Sequence, residues 1–217
     1  NIIELVELIS FIDIISTNAK NAIEYNYKRP KLIESDRSYV STKALRHPIL
    51  ERLSMGYEYI TNDISIGKDY SGMLLFGINA SGKSSLMKAI GCNVLMAQAG
   101  MFVAANEFEL CPYRKIFTRI TGLDNIYRGW STFTVEMLEL RNILLRSDKY
   151  SLVIGDELCS GTESTSALAI VSAGIKKLVD LDASFIFATH LHDLPKVKII
   201  EELSNENKIK LAHMHIE

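Results

Sequence analysis

With 217 residues, 47% of them hydrophobic and 23% charged, the chain has the make-up of one large globular domain, or one domain with an appendage. That balance excludes a disordered chain, a collagen-like repeat and a disulfide miniprotein, and a net charge of −2 marks no chain-wide affinity for nucleic acid. Cys92, Cys111 and Cys159 are widely spaced and form no CxxC pair. Neither a zinc site nor a disulfide framework is expected, and the expected location is an intracellular, reducing compartment. No run of about 18 apolar residues occurs, so no membrane span and no membrane partner are expected. The apolar start carries Glu4, Glu7 and Asp13, unlike a signal peptide. The chain opens without Met and stops within a strand-like pattern, which suggests a fragment of a longer protein.

The first 24 residues predict a helix roughly 36 Å long, with Leu5, Leu8, Ile12, Ile15, Ala19 and Ile23 at helical spacing. Phe11, Ile9 and Ile14 widen the apolar stripe, so this helix is expected to pack on more than one side. Residues 25–45 read as a turn and extended chain, and a boundary falls near residue 45. Beyond it, short apolar runs at 73–76, 152–154 and 185–188 read as buried strands. Amphipathic patterns at 83–99, 134–145 and 164–179 read as helices. Apolar strands without alternation, separated by such helices, predict a parallel sheet covered on both faces.

Between the first of those strands and its helix stands Gly77-Ile78-Asn79-Ala80-Ser81-Gly82-Lys83-Ser84. It fits G-x4-G-K-S, and strand-loop-helix is the context that motif requires. Glycines let the backbone curl so that its N–H groups face phosphate oxygens, and the helix N-terminus adds partial positive charge. Lys83 is expected to reach the β- and γ-phosphates and Ser84 to bind Mg²⁺. The strand 152–154 runs into Asp156-Glu157. Asp156 is expected to support Mg²⁺ through a water, and Glu157 to act as general base on the attacking water. A third strand ends in Ala188-Thr189-His190, where His190 could bond the γ-phosphate or hold the water. The pairs His190/His192 and His213/His215 suggest metal only weakly, because no further ligands accompany them.

Several motifs, in order, resemble the MutS family of DNA mismatch-repair ATPases. Arg46-His47-Pro48 resembles R-H-P, and Gly77 to Ser84 resembles G-P-N-M-G-G-K-S, with Asn79 at the family's Asn. Ile116-Phe117-Thr118-Arg119-Ile120 is similar to I-F-T-R-I/V, and Ser131-Thr132-Phe133 followed by Glu136-Met137 to S-T-F-x-x-E-M. Asp156-Glu157 with Gly161-Thr162 resembles D-E-x-x-x-G-T, and Phe187-Ala188-Thr189-His190 resembles F-A-T-H. The matches run through residues 46–194.

The resemblance implies an α/β fold, a P-loop NTPase of the ABC-ATPase type. It has a mostly parallel central sheet flanked by helices. Residues 1–45 would be the end of a helical lever from a missing upstream domain, and 46–217 a C-terminally truncated ATPase domain. It implies ATP and Mg²⁺ as ligands, and a homodimer or MutS-like heterodimer that sandwiches each nucleotide. Double-stranded DNA would be bound through domains not present. Ser131 would reach the partner's γ-phosphate. Tyr59 would stack on adenine with Asn62 nearby, or else be a half-buried strand aromatic. Asn79, Ala80, Ser81, Gly82 and Ser85 would line the phosphates along with Gly77, Lys83 and Ser84.

The departures are Ala80-Ser81 for Met-Gly, Ser85 for Thr, and Ala104 for a usual Pro. Leu158-Cys159-Ser160-Gly161-Thr162-Glu163-Ser164 departs from I-G-R-G-T-S-T and lacks its Arg. That version resembles divergent members from giant viruses and coral mitochondria. Nothing resembles the mismatch-reading Phe-x-Glu segment. Two other readings stand beside this one. One is another ABC-type engine, such as a transporter or chromosome-organising head, which would need an L-S-G-G-Q-like signature that is missing here. The other is a nucleotide-dependent dimerisation module with little activity alone.

Overall fold

The computed structural model describes residues 2–53, 59–78, 81–119, 132–159 and 163–214. Two sheets organise the body. The larger has five strands in the order β6-β7-β8-β4-β9: Lys115–Arg119, Ser151–Asp156, Ser184–Ala188, Gly72–Phe76 and Ile209–His213. Every neighbouring pair in it is parallel. The parallel sheet expected from the apolar runs is therefore present, and the register explains those runs. Successive side chains of a strand face opposite ways. Met73 and Leu75 of β4 enter one core, while Leu74 and Phe76 enter the other. Strands β7 and β8 divide likewise, with Ile154 and Ile186 on one side and Val153 and Phe185 on the other. A strand buried on both faces has no polar face to alternate with.

Helix α3 (Lys83–Gln98) fills the first core with Leu86, Met87, Ile90 and Val94. The second core is closed by α4 (Thr132–Arg146) through Ile143 and by α5 (Ser164–Asp180) through Val171, Ile175 and Leu178. A short turn of 3-10 helix, Leu194–Lys196, leads into α6 (Lys198–Asn205), which adds Ile200 and Leu203.

The second sheet has four strands in the order β1-β5-β2-β3: Lys31–Leu32, Glu107–Cys111, Tyr39–Leu45 and Asn62–Ile66. Strands β2, β3 and β5 pair antiparallel. Val40 and Leu45, of β2, are buried in the first core. The helical segment is α1 (Ile2–Glu24), and the chain turns at Tyr25 and Asn26.

No side chain of α1 is buried, so the expected packing on several sides is not met within this chain. Ile2, Phe11 and Ile15 are 80%, 62% and 49% exposed. Its last turns touch the body. There Asn18 Oδ1 accepts the Phe102 amide at 2.9 Å. The joint that follows is aromatic and cationic. Arg52, on the one-turn helix α2 (Leu50–Leu53), lies 3.7 Å from the Tyr25 ring centre and donates to the Tyr27 hydroxyl at 3.1 Å. Arg46 pairs with Glu51 at 3.2 Å.

Candidate functional site

Strands β4, β7 and β8 end side by side. Leu75 and Asp156 both register with Ala188 of the intervening β8. The three loops that follow therefore emerge together at the carboxyl edge of the sheet, where open parallel sheets bind ligands. They carry the glycine-rich segment, the acidic pair and His190.

The glycine-rich loop is closely packed. A Cβ at Gly77 would come within 2.8 Å of both Ser81 Oγ and the Met214 carbonyl, and Gly82 takes a φ of 93° that side chains rarely adopt. Lys83, only 5% exposed, donates its ammonium to the carbonyls of Gly77 at 2.6 Å and Ile78 at 2.9 Å. The charge is thus held within the loop at the start of α3. Ser84 Oγ donates to Asp156 Oδ2 at 2.6 Å, which joins the loop to the acidic strand. Ser81 is buried, and its Oγ has no hydrogen-bond partner among the described residues. Ser85 is half-buried in the first turn of α3. Asn79 and Ala80 lie outside the described residues.

Glu157 leaves the strand in a left-handed conformation, φ 50°, and its amide donates to the Ala188 carbonyl at 3.0 Å. His190 Nε2 lies 2.7 Å from Glu157 Oε1, so one tautomer donates its ring N–H to the carboxylate. Both side chains are partly exposed, His190 at 37% and Glu157 at 47%. The pair faces the solvent edge where a water could be held. His190 and His192 follow β8 and so do not share a strand face, His213 closes β9, and His215 lies outside the described residues. Among the described residues no group of three or more His, Cys, Asp and Glu could hold a metal ion.

Tyr59 is half-buried and precedes β3 rather than lying in it. Burial raises its phenol above the usual value, partly offset by a hydrogen bond with the His47 backbone. Asn62 begins β3 and donates to the Ile60 carbonyl at 3.4 Å. The structure brings Gly77, Ser81, Gly82, Lys83, Ser84, Asp156, Glu157 and His190 to one edge. Tyr59 and Asn62 stand on the other sheet's side, beside α2 and at β3. Ser131 lies outside the described residues.

The sequence left two participants without a role. Met214 donates its amide to the Phe76 carbonyl at 2.8 Å and backs the glycine loop. Glu136, 4% exposed on α4, accepts the Cys159 amide at 2.5 Å. The only sequence signal for Glu136 was its place in Ser131-Thr132-Phe133-x-x-Glu136-Met137.

The residues present suit a nucleotide with a divalent cation. The loop is too close for a side chain at Gly77 and holds Gly82 at a positive φ, the buried Ser81 hydroxyl has no partner among the described residues, and Ser84 with Asp156 forms an oxygen donor pair suited to Mg²⁺. Comparison with known proteins gives the family. The profile of MutS domain V matches residues 73–217. The mitochondrial DNA mismatch repair protein mutS homolog of Sarcophyton glaucum is 44% identical over 194 residues, 88% of this chain and 20% of that protein. The putative DNA mismatch repair protein mutS homolog of Acanthamoeba polyphaga mimivirus is 36% identical over 251 residues, 99% of this chain and 22% of that protein. DNA mismatch repair protein MutS of Staphylococcus haemolyticus is 35% identical over 217 residues, 96% of this chain and 24% of that protein. The chain spans between a fifth and a quarter of the length of these relatives. It belongs to the MutS family, and the matched region is that family's domain V.

Proposed function

We propose that this chain binds and hydrolyses ATP as the engine of a MutS-like DNA repair protein. In that protein, closure of an ATPase dimer would control a clamp on double-stranded DNA. The observation that carries the reading is the 2.6 Å bond from Ser84 to Asp156, which brings the phosphate loop and the acidic strand to one place.

Each residue then has a task. Backbone N–H groups of the 77–84 loop and the start of α3 face the phosphates, with Ser81 and Ser85 adding hydroxyls. Lys83 exchanges its carbonyl partners for phosphate oxygens. Ser84 and Asp156 would hold Mg²⁺, which neutralises phosphate charge when bound. Glu157 accepts the proton of the attacking water. His190 keeps the Glu157 carboxylate turned toward that water. Tyr59, with Asn62, flanks the base, and Ser131 serves the partner's nucleotide. Helix α1 would lie on the lever side, and the Tyr25–Arg52 joint would couple it to the body.

Lys83→Ala tests the phosphate loop. The loop loses its buried cation, and ATP affinity should fall at least about tenfold, the scale of one charge-assisted contact. Equilibrium titration with a fluorescent ATP analogue reads this. Parental affinity in that variant would sink the assignment.

A further inference from the structure

We propose that Glu136 is a positioning residue. Its carboxylate holds the turn that carries Glu157 and ties that turn to the helix that follows Ser131. The inference rests on the ATP-hydrolysing reading of the site and adds a residue to it.

The turn after β7 is strained. Glu157 and Cys159 both take left-handed φ values, 50° and 61°, which residues with a Cβ adopt reluctantly. It is pinned at both ends. On the strand side, the Glu157 amide donates to the Ala188 carbonyl at 3.0 Å. On the far side, the Cys159 amide donates to Glu136 Oε1 at 2.5 Å. Leu158 lies between the pins and is buried in the second core. The direction of the Glu157 carboxylate, and its 2.7 Å contact with His190, therefore depend on both pins.

Glu136 is built for this task. A carboxylate 4% exposed needs donors around it. The Cys159 amide is one, and the Arg119 guanidinium is beside it, with Nε 3.5 Å from the same oxygen. Arg119 also pairs with Glu139 one turn along α4. Burial first, then the charge of Glu136, pushes the Cys159 thiol up to about 11, so the carboxylate faces a neutral thiol. Because Ser131 directly precedes α4, a displacement of that helix reaches the Cys159 amide, and so Glu157, through Glu136.

The test uses the full-length protein, with Glu136→Ala, Glu136→Gln and Glu136→Asp beside the parent. Turnover at saturating ATP, ATP affinity and thermal unfolding are measured for each. Glu136→Ala should lower kcat by about tenfold or more and leave ATP affinity within about twofold, because the lost hydrogen bond aims the base and does not hold the phosphates. Glu136→Gln keeps an acceptor oxygen at the same reach and should recover most of that loss. Glu136→Asp keeps the charge but draws the oxygen back by one methylene, so its kcat should lie below that of the Gln variant. If Glu136→Ala does not fold, the Gln–Asp order decides. A parental kcat in Glu136→Ala, ATP affinity falling in step with kcat, or Asp exceeding Gln would overturn the inference. A parent that binds ATP without turning it over would overturn the ATPase reading instead.

Discussion

Single atoms decide much of this molecule. His47 shows how. It is buried, and its Nδ1 accepts the amides of both Ile49 and Leu50, capping the one-turn helix α2. Only a neutral ring nitrogen can accept. Burial, with Lys88 second, lowers the imidazole below its ordinary 6.5. The sign follows from linkage. Below pH 6.5 the unfolded chain takes up a proton that the folded chain refuses until its lower value is reached. The stabilisation is thus whole above pH 6.5 and drains as the pH falls through the folded-state value. His47→Asn keeps an acceptor without titrating. Its stability should fall less steeply than the parent's between about pH 6.5 and pH 5, measured by denaturant unfolding. Equal slopes would show that His47 is not a titrating cap. The motif Arg46-His47-Pro48 was visible in the sequence, but the capping role was not. Its acceptors' partners are backbone amides, which every residue carries. The same reason hid Glu136, whose partner is the amide of Cys159, 23 residues away. Positive φ at Cys159, by contrast, gives physical sense to a departure seen in the sequence. Glycine, which the family's pattern has there, adopts that conformation freely.

At the scale of elements, α3 follows the glycine-rich loop and must be fixed to the body. Its apolar face does part of this, and Asn93 adds buried hydrogen bonds. Asn93 is fully buried and donates to the Arg46 carbonyl at 3.0 Å and the Ala89 carbonyl at 2.9 Å. Its Oδ1 accepts the Ala104 amide at 2.7 Å. A proline at 104, the family's usual residue, has no amide to give, so Ala104 and Asn93 form a bond special to this version of the site. Asn93→Ala leaves buried backbone groups unpaired and should cost about 2–4 kcal/mol in chemical unfolding. A loss under about 0.5 kcal/mol, the range of neutral surface changes, would mean the bonds are not what anchors α3. The elements differed in how openly the sequence announced them. Strands β4, β7 and β8 stood out because burial on both faces leaves an unbroken apolar run. Strands β3 and β5, Asn62–Ile66 and Glu107–Cys111, did not. Each mixes acids with apolar residues over five positions, and their partner strands are distant in sequence. Long-range pairing of short strands leaves no local signature, so residues 31–45 read as a connector rather than as part of a sheet.

For the whole molecule, two sheets and their helices bring three loops to one edge, while α1 projects from the opposite logic, apolar and uncovered. Under the proposed function, such a body would sense nucleotide and pass the result along a lever. The family's dimer would place Ser131 of one subunit at the nucleotide of the other. The joint of Tyr25, Tyr27, Arg46 and Arg52 lies between α1 and the sheet bearing β2, and Asn93 links that joint to α3. Helix α3 is thus bonded to the joint that leads into α1. All of this depends on Glu157 being the base that turns binding into hydrolysis. The direct measurement is single-turnover ATP hydrolysis and ATP affinity for Glu157→Gln in the full-length protein. Removing a general base should slow the chemical step by about 10²–10⁴-fold while ATP stays bound at parental affinity. Hydrolysis at the parental rate in that variant would contradict the account.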